Sequence, residues 1–280
     1  MDKLEAYRII AAQASHGELS FPTNVNASLK IQAALDDPDC HIEAAVKLVA
    51  AEPLLAARTV AIANSAAYNP AGREVSNVRV AVARLGFRTL RSLVAAMIVR
   101  QFADKLSDPI LRVKAAQLWE HSAHVAALAF VIAKRISKVD PETAFFAGIV
   151  HEVGGFYLLS RAEEFPGLVD GDAEAWREYG ERTIGRGVMK KLNMPSDVMK
   201  AMEEVWFVTR MLPPHTLGDT IRLAKDLAPV PAPWGPIEGS VALAATSATI
   251  DFECGAGTLQ SILEESAEDV RTLTAALLVT

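Results

Sequence analysis

Three acid-proline pairs, Glu52-Pro53, Asp108-Pro109 and Asp140-Pro141, each stand directly before a run whose apolar residues recur every three or four positions. Proline fits the first position of a helix, where its missing N–H would have had no intrahelical partner, and is excluded from the interior. Three- and four-residue spacing puts apolar side chains on one helical stripe, whereas a strand would need alternation. The pattern therefore fixes three helix starts. The same spacing runs through almost every other segment, and Ala and Leu outnumber β-branched residues in most windows. The fold class that follows is all-α, a multi-helix bundle.

Helices are expected at Asn26 to Leu35, ended by Asp36-Asp37-Pro38, then Ile42 to Ala51 and Pro53 to about Asn64. Asn69-Pro70-Ala71-Gly72 reads as a loop. Val78 to Leu85 is a short helix stopped by Gly86, and Phe87 to about Leu106 a longer one. Ser107-Asp108-Pro109 is the clearest internal boundary; a long helix follows to about Ser137. The helix opened by Asp140-Pro141-Glu142 carries His151-Glu152 and is weakened by Gly154-Gly155 just after them. Further helices are expected at Ala173–Lys191, Ser196–Val205, Thr216–Leu227, Val241–Phe252 and Thr258–Leu278, with a stiff proline-rich loop at Pro229 to Pro236.

The bulk numbers narrow the functional classes. A chain of 280 residues, 51% hydrophobic and 22% charged, can bury a sizeable core. A net charge of −6 argues against general nucleic-acid binding, which needs a basic surface. Cys40 and Cys254 form no CxxC pair, so neither a disulfide framework nor a thiolate zinc site is indicated. The start MDKLEAYRII lacks the basic-then-apolar order of a secretory signal, and no run of about 20 apolar residues is evident, so a cytoplasmic protein without membrane contact is expected.

His151-Glu152, set among Phe145, Phe146, Ala147, Ile149 and Val150, is the doublet that most calls for a partner, because burying an imidazole and a carboxylate together is costly. On the preceding helix, Leu118, His121, Val125, Leu128 and Ile132 follow 3-4-3-4 spacing, which puts His121 on the buried stripe. Ala144, Ala147, Gly148, His151 and Gly155 are small except the histidine and allow the two helices to approach closely, with His121 and His151 facing one interior space. His124 falls at its rim. His16, His41 and His215 belong to no constellation. Arg84, Arg88 and Arg91, at i, i+4 and i+7 with Arg79 upstream, form a basic stripe: either a solvated face or a docking surface for an acidic or phosphorylated partner. Asn64-Ser65 is read as a structural cap or turn bond, and Trp119, Trp176, Trp206 and Trp234 as core and hinge packing.

The segments His121-Ser122-Ala123-His124-Val125-Ala126 and Gly148 to Gly154 resemble the HD superfamily of metal-dependent phosphohydrolases. Glu52 to Arg58, Ala63-Asn64-Ser65-Ala66-Ala67-Tyr68 and Ala81-Val82-Ala83-Arg84-Leu85-Gly86 narrow the likeness to the HDOD (HD-related output domain) family of bacterial signalling proteins. Lys190 to Pro195 is similar to that family's Trp-x-Leu-Pro segment, with Leu192 in place of tryptophan. The resemblance covers roughly residues 18 to 228. It implies an N-terminal helical half over 1–108, an HD-like helical half over 109–228, and a C-terminal helical extension over 229–280 packing on the latter.

Departures from the pattern carry the functional expectation. The resemblance places Glu152 where catalytic relatives have aspartate, Gly155 at a position often held by lysine, and Lys225 where the distal metal-binding aspartate would fall. Glu181 and the Val205-Trp206 neighbourhood occupy positions that often hold histidine. His121, His151 and Glu152 are the ligands if any metal is held, but the family implies a degenerate site comprising them and Lys225, without catalytic residues or cofactor. A non-catalytic output or scaffold role follows, with signalling proteins on separate chains as partners. A divergent phosphohydrolase acting on a nucleotide or cyclic dinucleotide, and a small-molecule sensor using the vacated pocket, are the alternatives.

Overall fold

In the computed structural model, residues 2–22, 25–170, 175–207, 211–234 and 258–279 are described. Of the described residues 73% are helical, and no strand occurs among them. The helices are α1 (Lys3–His16), α2 (Val25–Asp36), α3 (Ile42–Ala50), α4 (Pro53–Asn64), α5 (Val78–Gln101), α6 (Pro109–Ile132), α7 (Pro141–Val150), α8 (Val153–Arg161), α9 (Arg186–Lys191), α10 (Ser196–Phe207), α11 (Leu217–Leu227), α12 (Thr258–Glu265) and α13 (Ala267–Leu278). Two π-helical stretches extend the set: Ala133–Ser137 continues α6, and Trp176–Gly185 leads into α9. The expected helix at Val241–Phe252 lies outside the described residues.

Local chemistry accounts for the helix starts. Pro53, Pro109 and Pro141 each occupy a first-turn position. Asp108 accepts a hydrogen bond from Ile110 N at 2.7 Å and Asp140 from Thr143 N at 3.1 Å, satisfying amides that have no intrahelical partner. Thr216 and Asp219 form a reciprocal capping box at α11. As expected, α5 consists of two helical segments that meet at a kink at Gly86, whose φ of 72° and ψ of 175° are not helical. That backbone conformation is essentially restricted to glycine, so Gly86 ends the first segment and turns the chain into the second.

The centre of the molecule is α6, packed on α7, α11 and α13, while α5 carries α2, α3, α4 and α7. The last helix, α13, lies on α6 and also on α4: Arg58 donates to Val279 O, and Ala66 N donates to Thr272 Oγ1 at 3.0 Å. Helix α1, which had no counterpart among the expected elements, buries Tyr7 and Ile10 and packs on Trp176–Gly185 and α9. Close approach of α6 and α7 depends on Gly148, where an added Cβ would sit 2.5 Å from Ala126 Cα. A part-buried hydroxyl cluster ties the loop after α4 to α5 and α7: Tyr68 Oη donates to Glu142 Oε1 at 2.5 Å, and Thr89 Oγ1 to Glu142 Oε2 at 2.6 Å.

Two sequence expectations need correction. Pro141–Arg161 is long and apolar enough, by length and composition, to cross a bilayer, contrary to the reading that no such run exists; 83% of its 18-residue apolar stretch is buried inside the fold. Nor is this run one continuous α-helix weakened at Gly154-Gly155. The break comes at His151-Glu152, where Glu152 adopts φ −105° and ψ 20° before its carbonyl starts α8 by accepting from Gly155 N and Phe156 N.

Candidate functional site: a histidine pair closed by Lys225

The break between α7 and α8 exists because side chains satisfy what the helix end leaves open. His151 Nδ1 lies 2.7 Å from Gly148 O, a carbonyl that a continuing helix would have bonded through its own amides. His121, on α6, sets its Nδ1 2.7 Å from Val230 O in the loop after α11. A carbonyl can only accept, so both Nδ1 atoms carry the proton and both Nε2 atoms present lone pairs. Those two Nε2 atoms face each other at 3.3 Å. Glu152 Oε1 lies 3.8 Å from His151 Nε2. All three residues are buried, at 3%, 7% and 2% exposure for His121, His151 and Glu152, so the cluster has little access to water.

Lys225 of α11 closes the group. Its Nζ lies 3.0 Å from Glu152 Oε1 and 3.8 Å from Glu181 Oε1, the latter on Trp176–Gly185. Burial drives the His151 pKa down to about 3, helped by the Lys225 charge, and lowers His121 for the same first reason. Burial is the largest single influence on Glu152 and would push it up, but Lys225, by its charge and its hydrogen bond, together with His151 and His121 holds the carboxyl below its usual range. Lys225 is conversely held above its ordinary value: burial opposes its charge, and Glu152 and Glu181 more than offset that. The resting site thus holds two neutral imidazoles, a carboxylate and an ammonium.

The fit to a metal ion can be judged on these atoms. One ligand atom from each of His121, His151 and Glu152 lies within 4.8 Å of the others. A tetrahedral zinc with Zn–N of about 2.0–2.1 Å separates two nitrogen ligands by roughly 3.3 Å, which matches the histidine pair. Each Nδ1–H on a carbonyl is also the usual outer support of a metal-bound imidazole. Charge points the other way. The carboxylate oxygen nearest the pair is already held by an ammonium, and a dication there would face Lys225 at a repulsion on the order of several kcal/mol. Spacing fits one ion; the charge does not.

Around this core the structure places the remaining expected residues. Gly155 lies against two indoles, with an added Cβ 2.3 Å from Trp234 and 3.1 Å from Trp176, so these rings fill the space a larger side chain would need. Trp176 and Trp234 stack at 4.6 Å between centroids. His124 is half-buried, whereas His16, His41 and His215 are exposed. Asn64 pairs with Val75 in both directions, Nδ2 to Val75 O at 2.7 Å and Oδ1 from Val75 N at 2.8 Å, and Ser65 Oγ donates to Ile62 O.

The arginine stripe is engaged with neighbouring helices. Arg84 Nη1 donates to Ala63 O, Arg88 pairs with Asp140 at 3.1 Å, and Arg91 holds Leu35 O and Asp36 at the end of α2. Sequence reasoning missed Val230 O, Trp176 and Trp234 as parts of the site. For Val230 and Trp234 the signal was the stiffness of the 229–236 loop, which gave no direction, and both tryptophans read only as core and hinge packing.

The HDOD domain family matches residues 21–206. No curated protein matches the chain. Among solved structures, one from Shewanella amazonensis SB2B, provisionally named a metal-dependent phosphohydrolase, superposes with a TM-score of 0.74 at 20% identity over 98% of this chain and 99% of its own. An HDOD domain protein with unknown function from Geobacter sulfurreducens follows at 0.64 and 21% identity, over 99% and 100%. A protein from Marinobacter aquaeolei VT8, provisionally named a signal transduction protein, gives 0.60 and 18%, over 99% of this chain and 66% of that one. At such identities these likenesses speak for the fold. With two thirds of its length matched by the family, this chain belongs to the HDOD family, which is related to the HD phosphohydrolases.

Proposed function

We propose that this chain is a non-catalytic regulatory protein of bacterial signal transduction, working in the cytoplasm through contacts with signalling proteins carried on separate chains. The observation that carries the reading is Lys225 Nζ at 3.0 Å from Glu152 Oε1. An enzyme of the HD type would use that carboxylate for a cation; here a side-chain cation takes its place, supported from behind by Glu181. Family membership and the name of the Marinobacter aquaeolei relative support the regulatory assignment. The indoles of Trp176 and Trp234 further fill the space beside Gly155, at the position that catalytic relatives often give to lysine.

The test is turnover. Purified protein is incubated with nucleoside triphosphates, nucleoside monophosphates and cyclic dinucleotides, with Mn²⁺, Mg²⁺ or Zn²⁺ added. No hydrolysis above the no-protein blank is expected. Metal-dependent turnover that disappears in His151→Ala would overturn the reading.

The spacing of the histidine pair favours a second reading, in which one metal ion is held without Lys225 in contact and a divergent phosphohydrolase remains. The same assay decides between them.

A further inference from the structure

The first half of α6 turns one face to solvent. Pro109, Ile110, Arg112, Val113, Ala116 and Glu120 are exposed there, while Leu111, Ala115 and Leu118 are buried on the inner side. Pro109, Val113, Ala116 and Glu120 follow 4-3-4 spacing and form one stripe, with Ile110 and Arg112 on its two flanks. Ile110 and Val113, at 66% and 67%, are the most exposed large apolar side chains among the described residues. Single exposed apolar residues are ordinary on a monomer. Two of them one turn apart on the same helix face point to a contact surface.

The charges on this face say what covers it. Arg112 and Glu120 stand one turn either side of Ala116, and neither forms an ion pair with another described residue. At 1.5 Å rise per residue they are about 12 Å apart along the axis, too far to meet each other. A cleft of about 470 Å³ runs beside them, floored by Trp119, whose indole lies beneath the guanidinium groups of Arg58 and Arg100. Its lining sets Arg100 and Arg112 against Asp104 and Glu120, a balance that favours neither an anion nor a cation. A surface that faces its own copy needs that balance, because two-fold symmetry brings each charge against a member of the same set. Two α6 helices laid antiparallel across a dyad near Ala116 bring Arg112 of each copy beside Glu120 of the other, twice over. Val113 of each then covers Ala116 of the other, whose small side chain lets the helices approach. Laid parallel, the same stripe would set like charges together.

We propose that the Pro109–Glu120 face of α6 pairs two copies of this chain, with the same patch on both and the two helices antiparallel. The stripe is about 17 Å long at 1.5 Å per residue, so the contact is small and the dimer weak and reversible. It is a homotypic contact, additional to those with other signalling chains, and it uses no residue of the Lys225 cluster.

Sedimentation equilibrium of the full chain between about 1 and 500 µM reads the association, with a Kd of about 10–100 µM expected. Val113→Glu should weaken it at least about tenfold, and so should Arg112→Glu or Glu120→Arg, each of which sets like charges together at two symmetric places. The decisive arm mixes the last two. Arg112→Glu and Glu120→Arg chains in equal amounts recover both opposite-charge pairs, so the mixture should associate to within about threefold of the parent although neither variant does alone. The substituted positions are exposed, so circular-dichroism melts close to the parent are expected. Ala116→Arg, which puts like charges face to face at the dyad, replaces any variant that does not fold. A monomer at the highest concentration, association unchanged in Val113→Glu, or a mixture that associates no better than its components would each overturn the proposal.

Discussion

Lys225 Nζ lies 3.0 Å from Glu152 Oε1, so the carboxylate that turns out of the α7–α8 break faces an ammonium on α11. This contact ties the α7–α8 break to α11 across 73 positions of the chain. Glu152 Oε2 is buried without a hydrogen-bond partner among the described residues, so Lys225 is the chief compensation for a charge at 2% exposure.

Removing that compensation should be costly. Lys225→Met leaves Glu152 ionised and buried, and a loss of about 1–3 kcal/mol is expected, toward the low end because the lysine side chain keeps 25% exposure. The double variant Lys225→Met/Glu152→Gln should recover most of the loss, since no buried charge remains. Urea denaturation of the two single variants and the double gives the coupling directly. Additive losses would show that the pair is not coupled.

Acid should destabilise the metal-free protein through the histidine pair. His151 titrates near 3 when folded against about 6.5 when unfolded. Between those values the unfolded chain binds the extra proton, so stability is fully present above pH 6.5 and declines as pH falls toward 3, by up to about 1.4 kcal/mol per pH unit for one group. His121 and Glu152, both shifted downward, add in the same direction. His151→Gln should flatten the curve between pH 6 and 4. A parent curve level across that window would contradict the burial assigned to His151.

Packing predictions are sharper at the glycines. Gly148→Ala puts a methyl 2.5 Å from the Ala126 backbone, where no side chain can rotate away, and should cost about 1–3 kcal/mol by forcing α6 and α7 apart. Gly155→Ala meets the Trp234 ring at 2.3 Å and should also shift tryptophan fluorescence as that ring is displaced. Thermal melts and emission spectra separate the two effects.

Asn64→Ala removes both hydrogen bonds that hold Val75, and a buried backbone pair left open should cost about 1–3 kcal/mol. Hydrogen exchange at the Val75 amide should rise by the corresponding factor of about five or more. An unchanged amide would mean that the loop is held elsewhere.

The features readable in the sequence were those set by periodicity within one helix. His121 on the buried stripe of α6 and the small-residue face around Gly148 follow from 3.6 residues per turn, and both lie at the α6–α7 contact. What escaped was decided between distant segments. The helix break at His151-Glu152 reflects Gly148 O and Lys225, the latter more than 70 positions away, rather than the glycine pair that suggested a break later. His121 donates its hydrogen bond to a loop carbonyl 109 residues on, and no local pattern marks that. Helix α1 was passed over because its buried face is built from Ala6, Ala11 and Ala14 around Tyr7 and Ile10, a weak apolar signal. The convergence of Arg58, Arg100 and Trp119 comes from three helices and is invisible along any one of them.

The central claim is that Lys225 stands where a cation would otherwise be bound. Elemental analysis of the protein, purified without chelator, tests it most directly. The account predicts well under 0.1 equivalent of Mn, Fe, Co, Ni or Zn per chain, since affinity opposed by several kcal/mol is weakened by orders of magnitude. One equivalent of metal that is lost in His151→Ala would contradict it.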